Sequence, residues 1–149
     1  MIKDKIKPEG LVSIVLKDEH GNVKETHTQN LVVDTGLAYI ASRIIGTAGP
    51  ISHMGVGSGD TVAEESQTEL INQLSRVALT STANVTTNVT NDSVQFVAEF
   101  PTGVGTGAIV EAGLFDAATD GAMVSRTVFP VVNKSAPDSL VITWILVLN

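Results

Sequence analysis

Cysteine is absent from the 149-residue chain. That removes disulfides, thiolate metal ligands and cysteine nucleophiles at one stroke. Charge is scarce as well: charged residues make up 17% of the chain, and acids outnumber bases 16 to 9, giving a formal net charge of -7. Nucleic-acid binding draws its affinity from neutralised phosphates, so a net acid balance argues against a nucleic-acid partner. Long apolar runs are lacking too. The longest, Leu140–Leu148, is broken by Thr143 and is too short to cross a bilayer as a helix, so no membrane span is expected. The charged start of the chain has no apolar core of the kind a secretory signal requires. Aromatic residues are few, at 4%.

What is present is apolar and β-prone. Hydrophobic residues form 43% of the chain, enough for one domain with its own core and too many for disorder. Leu11–Leu16 runs into Asp18-Glu19-His20-Gly21-Asn22, which is turn chemistry, and Val23–Leu31 returns as the second arm of a hairpin. Asp34-Thr35-Gly36 precedes Leu37, Ile40, Ala41 and Ile44, whose spacing marks one apolar face of a helix over Asp34–Ile45. Asp34 or Thr35 is placed to cap it and Gly46 to end it. Ser66-Gln67-Thr68-Glu69 fits a capping box, so a second short helix is expected to carry Leu70, Ile71 and Leu74.

Strands are expected at Ile51–Val56, Val77–Thr90, Ser93–Phe100, Ala108–Phe115, Ala122–Val132 and Leu140–Leu148. The last alternates Leu140, Ile142, Trp144 and Leu146 with Val141, Thr143, Ile145 and Val147, so it is apolar on both faces. A strand of that kind is covered twice, here by the helix or by another subunit. About eight short strands with regular turn signals predict a single β-sandwich or jelly roll spanning residues 10–149, preceded by an arm, residues 1–9.

No catalytic constellation is legible. His20, His27 and His53 lack the spacing of a metal site. Gly55-Val56-Gly57-Ser58-Gly59 and Gly103-Val104-Gly105-Thr106-Gly107 lack the lysine and the following helix of a phosphate loop, and Val56 spoils a nucleophile elbow at Ser58. Asp116–Gly121 falls short of a calcium loop, because Ala118 replaces a ligand. Asn84-Val85-Thr86 and Asn88-Val89-Thr90 match glycosylation acceptors but read as polar strand residues. Glu99 and Glu111 are the carboxylates of the late strands, and a structural arginine, Arg76 or Arg126, is the expected partner of Glu111. No enzyme activity, metal or cofactor is therefore expected.

Three sets of segments carry a resemblance. They are Asn30–Leu37; Met54–Gly59 with Thr68-Glu69-Leu70 and Leu74–Val77; and Glu111–Asp116 with Arg126–Pro130. Over roughly Asn30 to Trp144 the chain resembles the small β-rich virion proteins of tailed bacteriophages. It is also similar to the N-terminal, virion-attaching domains of phage tail-fibre and collar proteins. Because the chain stops at Asn149, directly after its last strand, it looks most like a free-standing capsid cement or decoration protein. That resemblance implies a virion protein assembled in the host cytoplasm, a homotrimer clamping copies of the major capsid protein. A tail, collar or fibre-attachment role is the alternative. A carbohydrate-binding module, using Trp144 and Tyr39, is the remoter one. The candidate interaction residues are Lys3, Lys5, Ile6 and Lys7 in the arm and Val141, Ile145 and Val147 on the last strand.

Overall fold

The computed structural model describes residues 8–148. Lys3, Lys5, Ile6 and Lys7 lie outside the described residues.

Ten strands and one helix form the described chain. In order they are β1 (Glu9–Lys17), β2 (Val23–Gln29), β3 (Leu31–Val32), α1 (Asp34–Ile44), β4 (His53–Gly57), β5 (Gln73–Ala78), β6 (Ser81–Val85), β7 (Ser93–Phe100), β8 (Gly107–Phe115), β9 (Met123–Lys134) and β10 (Ser139–Val147). They make two five-stranded antiparallel sheets, ordered β2-β1-β10-β7-β6 and β3-β9-β8-β4-β5. The predicted β-sandwich is thus the observed fold. Its hairpins, β1–β2, β4–β5, β6–β7 and β8–β9, each stay within one sheet. The chain crosses between sheets four times, at Asn30, at Leu79–Thr80, over residues 101–106 and over residues 135–138.

The period-2 pattern fills the space between the sheets. Val12, Ile14, Phe96, Phe100, Ile142 and Trp144 of the first sheet meet Met54, Val56, Leu114, Val124 and Phe129 of the second. A smaller cluster, Val33, Leu70, Phe115 and Met123, lies apart from that core. Phe115 alternates with the core residue Leu114 and so points to the far face of the second sheet.

Four sequence expectations are corrected. The 66–74 segment is not helical. Its backbone amides at Ile71 and Asn72 donate to Glu111, and the Gln67 side chain bonds Glu64 N and Val62 O, so partners other than a helical ladder hold the chain. The long strand expected at Val77–Thr90 is broken, because the chain changes sheets after Ala78. Helix α1 has no side-chain cap: Val33 is the N-cap residue, the Thr35 hydroxyl donates to Met123 O, and the Asp34 amide donates to Glu65 O. Gly46 does end it, with φ of 75°. Finally, most of the helix's expected apolar face turns outward, with Ile40 of that face partly buried against the core. Gly36 and Tyr39 are buried, whereas Leu37 is 48% and Ile44 74% exposed.

Candidate functional site

The second sheet carries a buried polar hub. Glu111 sits on β8 and Arg126 on β9, both fully buried. Arg126 Nη2 and Nε reach Glu111 Oε2 at 2.9 and 3.0 Å. The remaining capacity of both groups is spent on one loop, residues 58–72. Glu111 accepts the amides of Gly59, Ile71 and Asn72 at 2.8–3.0 Å. Arg126 Nη1 donates to Thr61 O and Gln67 Oε1. A buried ion pair survives desolvation only when its other donors and acceptors are satisfied, and this one is. The glycines of the first glycine run follow from it. A Cβ at Gly57 or Gly59 would overlap Glu111 Oε1 and the returning loop, so the run is a close-approach device and no phosphate cradle.

Arg76, the other partner considered for Glu111, does a different job. Its guanidinium lies 3.5 Å from the Phe115 ring centroid and donates to the carbonyls of Ala117 and Asp120. The Asp116–Gly121 segment is thereby a clamped turn, with Asp116 accepting the Ala122 amide. The Lys134 ammonium, buried between sheet and loop, donates to Pro101 O and Asp138 O, and burial lowers its pKa.

The hub covers the far face of the second sheet with loop 58–72, and α1 packs on β9 beside it. The first sheet has no such cover among the described residues. Its β10 is the central strand, and Val141, Thr143, Ile145 and Val147 are half-buried on its outer face. Register extends the patch. Val15 stands beside Val141, Leu11 beside Ile145, and Val97 beside Thr143. Glu25, His27 and Gln29 border it on β2, and Gln95 and Glu99 on β7. Of the two covers expected for β10, the chain's own helix is ruled out, because α1 lies on the other sheet. Val141, Ile145 and Val147 therefore fall together on one apolar face; the arm residues proposed alongside them lie outside the described residues.

The histidines stand apart. His27 is 3.1 Å from Glu25 and His20 3.5 Å from Glu19, both exposed, and His53 bonds Ser52. Trp144 is fully buried and Tyr39 is 7% exposed with its hydroxyl on Gly49 O, so neither ring is presented for stacking on a sugar. Sequence reasoning offered Arg126 as one of two partners for Glu111, and the structure selects it. It missed the 58–72 loop as the pair's object, because the loop's contribution is backbone amides that carry no sequence signal.

Among the described residues, one outer face of the sandwich is sealed by a pinned loop and the other carries an apolar row. The chain belongs to the phage tail-collar fibre protein family, whose N-terminal region matches residues 25–147. It is a phage structural protein. No curated protein and no solved structure matches it.

Proposed function

We propose that this chain is a tail component that joins a fibre or collar to the virion by docking the outer face of its first sheet on an apolar surface of another virion protein. The family match carries the reading, since it spans both sheets and is to a tail-collar fibre region. It favours the tail alternative over capsid cement. The uncovered apolar patch of Leu11, Val15, Val97, Val141, Ile145 and Val147 supplies a surface suited to the task. The chain works by binding, without catalysis or cofactor. Mass spectrometry of separated heads and tails from purified virions tests this. Recovery with the tails is expected, and recovery with the heads alone would contradict it.

A further inference from the structure

The two sheets have four outer strands, and three of them carry features that discourage pairing with another strand. Strand β2 presents Lys24 and Glu25. Strand β3 is two residues long. Strand β5 carries Arg76 and pairs with β4 through an irregular register at Val56/Gly57. Charge, shortness and irregularity are the usual defences of a sheet edge. Strand β6 has none of them. From Val77 to Asn91 there is no charged residue, no proline and no glycine. Its inner side pairs with β7 from Ser81↔Val97 to Val85↔Ser93 in unbroken register, and four of its five residues are exposed.

The strand is also held ready. At one end the Thr80 hydroxyl accepts the Glu99 amide. At the other, Asp92 accepts the amides of Thr87, Asn88 and Val89 and pins the turn. An edge fixed before binding loses little conformational freedom when a partner strand arrives.

We infer that β6 pairs antiparallel with β6 of a second copy of this chain, joining the two first sheets into one ten-stranded sheet. Two chains of net charge -7 repel each other. The uncharged 77–91 stretch is where they approach with least opposition. The segment is self-complementary about Ala83, which sets Ala83 against its own copy and Thr82 against Asn84. The small side chain lets the two backbones close at the axis, and Thr–Asn neighbours hydrogen-bond across strands. This pairing builds a dimer, whereas a trimer would need another surface. It also sets both apolar outer faces on one side of the joined sheet. The inference does not depend on which part of the virion the chain occupies.

Light scattering over a range of concentrations, together with a single introduced cysteine, tests it. Wild type should approach twice its 15.6 kDa chain mass. Thr82→Lys, at an exposed position, should stay folded by circular dichroism and shift the dissociation constant upward at least tenfold. The natural chain has no cysteine, so Ala83→Cys reports the axis cleanly. Mild oxidation should give a covalent dimer much faster than with Glu25→Cys on the opposite edge. A monomeric or trimeric mass throughout, or equal cross-linking from both cysteines, would overturn the inference.

Discussion

Residue by residue, the second sheet is held by charges that are tied up inside the molecule. Arg126→Met would leave the Glu111 carboxylate buried without its counter-ion and release loop 58–72. The expected loss is ~3–5 kcal/mol of unfolding free energy. Urea unfolding followed by the fluorescence of Trp144, the lone tryptophan and fully buried, measures it. The double variant with Glu111→Gln should lose less than the sum of the two single losses, because each single variant strands a charge that the double does not.

Two exposed turns contribute to the response to acid. Hydrogen bonds from the Val89, Thr87 and Asn88 amides hold the Asp92 carboxyl well below its ordinary value of 3.8, and hydrogen bonds from Asn22 lower that of Asp18. A depressed folded pKa means stability that is present above 3.8 and lost as pH falls below it. Thermal melts between pH 7 and pH 3 should therefore show Tm falling at the acid end. In Asp92→Asn, Tm should start lower at pH 7 and fall less; an unchanged acid slope would refute this origin.

At the scale of elements, strands were the legible part of the sequence and helices the less legible. Alternation in β10 and in the second half of β7 reports burial directly, since each side chain faces one side of a sheet. The three-four spacing of Leu37, Ile40, Ala41 and Ile44 located α1 but not its buried face. That face is set by Gly36, whose missing side chain lets the helix lie on the Val124 carbonyl. Periodicity weighs apolar residues and is blind to a contact made by the absence of one. The same limit hid the fate of Ser66–Glu69: a local capping signal lost to Glu111, a group forty residues away that takes the Ile71 amide.

Two substitutions separate these views of α1. Gly36→Ala would raise helix propensity by about 1 kcal/mol in an exposed helix. Here the added methyl overlaps backbone, and the variant should melt lower than wild type. Leu37→Ser, at the position the apolar spacing assigned to the core, should change stability by no more than ~0.5 kcal/mol. Tm measurements on the pair decide which face is buried.

For the whole molecule, the two sheets divide the labour. The second is closed on its far side by α1 and by a loop bolted down through Glu111 and Arg126. Among the described residues, the first keeps an apolar outer face without a cover. Burying that face contributes about 25 cal/mol for each Å² removed from water. A single charge at its centre would forfeit much of the gain while leaving the core side of β10 untouched. The residues of this face were readable as the second apolar row of Leu140–Leu148. What the row could not reveal was that the helix lies on the opposite sheet. The most direct measurement is the amount of an Ile145→Glu variant incorporated into phage tails when it replaces the wild-type chain. The account predicts a folded protein largely missing from purified tails. Incorporation at the wild-type level would contradict it.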